Sequence, residues 1–316
     1  MKSKVTFGDI LKKYNLVFLL LLFVIVSAIL SPNFLKAANI LNMLQQCSTA
    51  GVIGMGMTLV IITGGIDLSV GAVAALAGMI ASISVTAGVP VPFAIILGIL
   101  VGAACGAFSG FFVAVTGLPN FITTLGTMQI ARGLALLVTK GTPVFGLPAS
   151  FSIIGGARIG GLIPVAGLIW IALTVIFALI LKYTTYGRSL YAIGGNREAA
   201  ILSGIKATRN ELLAYTICAA LAGFGGIITA SWLKTGQPTA CDGYELDAIA
   251  ASVIGGASLS GGIGGVVGTF GGVFLLQIIT NIFNLVGLSS FYQQIAKGVI
   301  IIGALLLNQL VIARRK

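Results

Sequence analysis

The chain is a succession of apolar runs separated by short breaks of Pro, Gly or a few polar residues. A helical crossing of a bilayer needs about 20 apolar residues. On that scale, runs at residues 16–31, 49–63, 68–87, 92–116, 121–138, 163–182, 211–231, 246–259, 263–286 and 291–312 predict an all-α, polytopic membrane bundle. About ten transmembrane helices then account for the chain, which reads as one domain over residues 1–316. The runs at 49–63 and 246–259 are short and Gly-rich, which predicts broken, tilted or re-entrant segments there. The first run follows Lys12 and Lys13 as in a signal peptide, but it ends in Ser31-Pro32-Asn33-Phe34 without a small-x-small cleavage site. It is expected to stay as the first span.

Composition supports this. Of 316 residues, 58% are hydrophobic and 8% charged, with a mean hydropathy of +1.11, against roughly 25% charged residues in an ordinary soluble domain. The net charge of +11 would suit a nucleic-acid binder only if the basic residues clustered on one solvated face. They lie between apolar runs instead, so no nucleic acid is expected. With the N-terminus inside, the cytoplasmic segments hold twelve Lys and Arg: Lys2, Lys4, Lys12, Lys13, then Lys182, Arg188, Arg197, Lys206, Arg209, then Arg314, Arg315 and Lys316. The other side holds four, Lys36, Lys140, Arg158 and Lys234. The positive-inside bias therefore places both termini in the cytoplasm. The four Cys show no pairing or metal-type spacing, and the chain has no His, so neither a disulfide framework nor a metal site is expected.

Glycine, at 44 residues, recurs at helix-packing spacing, as in Gly51, Gly54 and Gly56. Two internal echoes stand out. Gly64 to Gly71 resembles Gly255 to Gly262 at an offset of 191, and Gly117 to Phe121 resembles Gly287 to Phe291 at an offset of 170. The first implies a parallel repeat and the second an inverted one, so the sequence leaves the repeat undecided.

The longest hydrophilic stretch inside the bundle, residues 183–210, carries a short helix signal. Asn196 suits an N-cap, Glu198 falls in the first turn, and Gly204 suits a left-handed terminus. Between them Ala199, Ala200, Ile201 and Leu202 offer small and apolar side chains, for a partner protein or for the membrane interface.

Here the chain resembles a known family. Glu198-Ala199-Ala200-x-x-x-Gly204 is similar to the cytoplasmic EAA loop of bacterial ABC importer permeases, which docks into the ATP-binding subunit. Tyr186 to Asn196, Gly64 to Gly71, Gln237-Pro238-Thr239, Gly243 to Ala250 and Gly255-Gly256 resemble the monosaccharide branch, the ribose permeases in particular. The Ile-x-Leu-Pro that ends the longer EAA pattern is missing after Gly204. The resemblance implies a multi-pass permease of the cytoplasmic (inner) membrane that imports a simple sugar. It implies as partners a second permease subunit, identical or paralogous, an ABC ATP-binding subunit, often a fused double cassette, and an extracytoplasmic sugar-binding protein. Asn196, Glu198, Ala199, Ala200 and Gly204 would couple the bundle to the ATPase. No cofactor is expected on this chain, which is not itself an enzyme: it has no Gly-Lys dipeptide and hence no phosphate-cradling loop. ATP and Mg would be used by the partner.

Buried sugar hydroxyls need amide and hydroxyl partners with an aromatic face nearby. Candidate pathway residues are Asp67, Asn120, Phe121, Thr123, Gln129, Asn281, Asn284 and Gln293, though each amide can equally bridge two helices. Asp67 has three placements open: lining the pathway, pairing with Arg132 or Lys297, or capping the following helix at the cytoplasmic interface. Asp242, Glu245 and Asp247 form an acidic group suited to a binding-protein contact. Other cargoes of the same branch, such as xylose, galactose or a furanosyl signalling molecule, are alternatives. An ion-coupled secondary transporter would ordinarily carry more ionisable relay groups than this chain has.

The charge count predicts that, in a single-Cys series, an impermeant thiol reagent labels a Cys at Lys140 or Arg158 from outside and leaves a Cys at Arg188 unlabelled. Strong external labelling at Arg188 would overturn the orientation.

Overall fold

The computed structural model describes residues 15–313. The terminal basic residues Lys2, Lys4, Lys12, Lys13, Arg314, Arg315 and Lys316, on which part of the orientation rests, lie outside the described residues. Thirteen helices make up the described chain: α1 (Asn15–Leu30), α2 (Ala37–Ile62), α3 (Val70–Thr86), α4 (Val91–Ala114), α5 (Asn120–Leu137), α6 (Ser152–Gly156), α7 (Val165–Tyr183), α8 (Thr185–Gly195), α9 (Arg197–Leu202), α10 (Ala207–Leu233), α11 (Tyr244–Ile254), α12 (Val266–Val286) and α13 (Ser290–Ala313). A two-residue hairpin, β1 (Arg158–Ile159) and β2 (Ile163–Pro164), precedes α7. Each of the ten apolar runs carries a helix, and α2, α4, α7, α10 and α12 are long and apolar enough by themselves to cross a membrane. The architecture is an all-α membrane bundle.

α10 is the axis of the bundle, packed along α4, α3 and α2. Between helices in lipid, where apolar surface gains nothing by leaving its solvent, close backbone approach has to do the work. Gly98, Gly102, Gly106 and Gly110 form a stripe on α4 with a spacing of four residues, and α10 lies directly on it. A Cβ on Gly102 would come within 2.5 Å of the Ala219 carbonyl oxygen, and one on Gly106 would meet the Tyr215 carbonyl. α2 uses the same device: Gly56 faces the Cys218 backbone, and Gly225 of α10 faces Ile53. α2 and α10 run antiparallel, since Thr49 bonds Thr229 at 3.0 Å near one end while Gly56 meets Cys218 further along.

The short run at 49–63 is only the apolar half of α2, whose first turns carry Asn39, Asn42, Gln45 and Gln46. Those polar side chains are used by neighbours. Asn39 and Asn281 of α12 exchange two hydrogen bonds of 2.9 Å, and Gln277 donates to Gln46 at 2.5 Å. α2 and α12 are therefore antiparallel, as α10 and α4 are. The 170-residue echo now has a structural meaning. Gly117 and Gly287, both left-handed with φ of 75° and 78°, stand in matching places just before α5 and α13. The 191-residue echo joins places that do not match, because it would pair α2 and α3, of 26 and 17 residues, with α11 and α12, of 11 and 21. The two halves are related by an inverted repeat.

Two segments break the helical pattern inside the bundle. Residues 63–69 run without helix from the end of α2 to the start of α3, and residues 234–243 run from α10 to α11. α3 starts deep along α10, where Ala74 meets Gly226, and its Gly71 packs against the Cys241 carbonyl and the Glu245 carboxylate. The N-termini of α3 and α11 thus meet within the protein. At 11 residues α11 is too short to span. Irregular backbone at this depth is tolerated because protein, not lipid, surrounds it.

Replacing Gly106 by Ala is expected to lower the stability of the purified protein by about 1–3 kcal/mol through overpacking. Gly126→Ala on the open face of α5, where a Cβ would meet nothing within 4 Å, should be neutral or stabilising by up to about 1 kcal/mol. Thermal melts of the two variants in detergent check the contrast; equal melting points would show that the α4 stripe is not under close contact.

Candidate coupling and translocation site

The helix signal at residues 196–204 corresponds to α9. The Asn196 side chain accepts the Ala199 N–H at 3.0 Å, a cap of typically about 1 kcal/mol. Glu198 is in the first turn and exposed. Gly204 adopts φ 83°, a left-handed conformation that strains a residue with a Cβ, although nothing lies within 4 Å of where that Cβ would go. Ala200 points inward against Ile193 and Ala207, whereas Ala199, Ile201 and Leu202 face out, with Leu202 89% exposed. Six residues of helix thus present apolar side chains to whatever lies beyond the bundle.

What holds α9 in place could not be foreseen from the motif. Arg197 donates to Glu211, at the start of α10, through Nε at 2.8 Å and through a terminal nitrogen at 3.0 Å. Glu211 is buried, so the two-pronged contact ties the head of α9 to the axis of the bundle. α8 is fixed too. Its Thr184 cap accepts the Gly187 N–H, Tyr191 donates to the Gly264 carbonyl at 2.8 Å, and Gly194 is wedged between the Ile62 carbonyl and the Gly262 N–H. Through Gly194, the helix just before α9 touches both the end of α2 and the loop between α11 and α12.

The pathway candidates fall into three places. Asn120, Phe121, Thr123 and Gln129 lie on α5, where Phe121 and Gln129 share an exposed stripe and the Thr123 hydroxyl donates to the Pro119 carbonyl. Asn281 is locked to Asn39, and Asn284 accepts from Gln293 of α13 at 2.7 Å. These three amides bridge helices. Asp67 is fully buried in the break before α3. Its Oδ1 accepts the Ser69 N–H at 2.9 Å and the Ser69 hydroxyl at 2.6 Å, an Asx turn that leads into α3, whose N-cap position is Ser69 and carries no side-chain cap bond. Asp67 thus shapes the entry to α3 from inside the bundle without capping the helix, and it pairs with neither Arg132 nor Lys297.

Asp242, Glu245 and Asp247 are not one free patch. Asp242 is exposed and 3.6 Å from Arg132, Glu245 lies over Gly71, and Asp247 pairs with Lys297 at 2.8 Å. Arg132 and Lys297 are therefore both committed to the segment around the start of α11. The sequence offered them only as possible partners of Asp67.

Residues 39–307 match the family model described as branched-chain amino acid transport system / permease component. The chain is 43% identical over 310 residues to the ribose import permease protein of Bacillus subtilis (strain 168), covering 98% of this chain and 96% of the relative. It is 43% identical over 302 residues to the ribose import permease protein of Escherichia coli (strain K12), covering 95% and 94%. To the L-arabinose transport system permease protein of Escherichia coli (strain K12) it is 35% identical over 308 residues, covering 98% and 94%. No solved structure gives a significant match.

Arg197→Ala would leave the Glu211 carboxylate buried without its partner, at a cost of about 1–3 kcal/mol. Amide exchange at Ser203, Gly204 and Ile205, whose N–H groups close the end of α9, should then speed up by about tenfold or more. Unchanged protection there, measured by hydrogen–deuterium exchange, would show that the pair does not anchor α9.

Proposed function

The chain belongs to the transport-system permease-component family, in its sugar-permease branch, and on that premise we propose that it is the membrane subunit of an ATP-driven importer that carries ribose across the cytoplasmic membrane. The observation that carries the reading is 43% identity over nearly the whole chain to two ribose import permeases. The identity to an arabinose permease is lower, at 35%, which favours ribose among the simple sugars.

In this reading the chain crosses the membrane about ten times, with α11 and the irregular residues 234–243 before it together making one crossing, both termini are cytoplasmic, and α8 and α9 stand on the cytoplasmic side. α9 is the coupling helix. Asn196 and Gly204 set its ends, Glu198 faces an ATP-binding subunit, and Ala199 and the outward Ile201 and Leu202 seat in it, while Ala200 anchors the helix to the bundle. ATP and Mg are handled by that partner, and a second permease copy or close paralogue completes the transport path. The exposed α5 stripe with Phe121 and Gln129, together with Asn120 and Thr123, faces this path. Asp242 is the outer acidic residue best placed to meet a sugar-loaded binding protein, being the exposed one of the three.

The deciding experiment is uptake of labelled ribose, arabinose, xylose and galactose by the complete complex in vesicles with ATP inside. Ribose should be taken up at least tenfold faster than the others, and transport of none of the four would overturn the reading. In the same vesicles Gly204→Val, whose backbone strain is about 1 kcal/mol or more, and Glu198→Lys, which puts a cation at the positive end of α9, should each remove most of the ATPase stimulation by loaded binding protein. Full stimulation and uptake in both variants would exclude α9 as the coupling element.

A further inference from the structure

We propose that Arg132 and Lys297 are positioning residues that clamp residues 237–247 as the gate of the transport path, an inference that rests on the importer reading above. Ionisable groups inside a membrane bundle are costly to place and call for a reason. These two lie on α5 and α13, helices with long exposed faces, and they reach the same segment from different sides. Arg132 donates to the Pro238 carbonyl at 2.8 Å and the Ala240 carbonyl at 3.2 Å, and lies 3.6 Å from Asp242. Lys297 closes on Asp247, one turn into α11, at 2.8 Å.

The segment between these contacts has the properties of a part that moves. It is irregular backbone threaded into the bundle, and without Arg132 the carbonyls of Pro238 and Ala240 would lose their donor. Cys241 at its centre has φ 56°, a left-handed conformation that a residue with a Cβ holds only when its surroundings impose it. Releasing either cation lets that strain relax. Its neighbour Glu245 lies against Gly71, so movement here displaces the start of α3 as well. Beside the Lys297–Asp247 pair is a cavity of about 30 Å³ lined in part by Gln277 and Thr280, enough for one water to take over the charges as the pair opens. α5 and α13 occupy matching places in the inverted repeat, so a rearrangement of both would release both arms of the clamp.

Cys241 is itself the reporter, being buried at rest with 7% exposure. In complete complexes whose permease has Cys47, Cys105 and Cys218 replaced by Ala, a membrane-impermeant maleimide is applied from the binding-protein side. Labelling of Cys241 should be slow at rest and at least tenfold faster during turnover with ATP and ribose-loaded binding protein. Arg132→Gln and Lys297→Met should each bring fast labelling at rest, and Lys297→Asp combined with Asp247→Lys should restore slow labelling. Equal labelling at rest and in turnover, or slow labelling in both single variants, would overturn the clamp. Ribose uptake in the same vesicles separates the two failures: uptake with unchanging Cys241 labelling removes the gate and leaves the importer, whereas absence of uptake removes the importer.

Discussion

Everything in this bundle depends on how closely α10 can approach its neighbours. In a bilayer the hydrophobic effect inserts helices but does not bring them together, so their association rests on van der Waals contact and on hydrogen bonds between them. The glycine stripe of α4 lets the two backbones touch, with Leu212, Tyr215 and Ala219 supplying carbonyl oxygens where side chains would ordinarily stand. Gly226 does the same against Ala74 of α3, and Gly56 of α2 against the Cys218 backbone. Because three helices are pressed onto one, the side chains between them are small or fully enclosed. The bundle is rigid along that axis and looser at α5 and α13.

That rigidity makes the two breaks possible. Seven non-helical residues, from Thr63 to Ser69, would be ruinous against lipid. Here they are enclosed by α2, α5 and α10, and Asp67 with Ser69 supplies part of the missing bonding. The second break draws on Arg132 from α5 and on the loop at Val144, which bonds Gly236 in both directions. The inverted repeat explains why there are two breaks, entering from opposite ends, and why their helices meet N-terminus to N-terminus.

The surface element α9 is joined to this interior by a short mechanical route. The Arg197–Glu211 pair fixes it to α10, and Gly194 transmits the position of α8 to the Ile62 carbonyl, immediately before the first break, and to Gly262, in the loop between α11 and α12. A displacement of α9 therefore bears on the first broken segment and on the loop between α11 and α12 together, without a long chain of flexible contacts in between. Packed backbones with no free volume are poor absorbers of such a displacement.

The apolar runs were enough to locate a helix at each of ten places, though not the length of α2 or the shortness of α11, because the need for internally bonded backbone in lipid leaves helix as the only economical answer. The short helix at 197–202, with its cap, was legible too, since Asn196 and Gly204 act on neighbours in the chain. Partner choice was not legible. Whether Asn281, Asn284 and Gln293 lined a path or bridged helices depended on which helices lay opposite, and residues more than two hundred positions apart, such as Asn39 and Asn281, had to be brought together before either role had meaning. The sense of the repeat was undecidable for the same reason, as both echoes are equally plain in the sequence and only helix direction separates them. Asp67, Asp247, Arg132 and Lys297 showed themselves as charges in apolar surroundings. Only tertiary structure assigned each its neighbour, because electrostatic partnership acts across space in a low-dielectric interior and has no period along the chain.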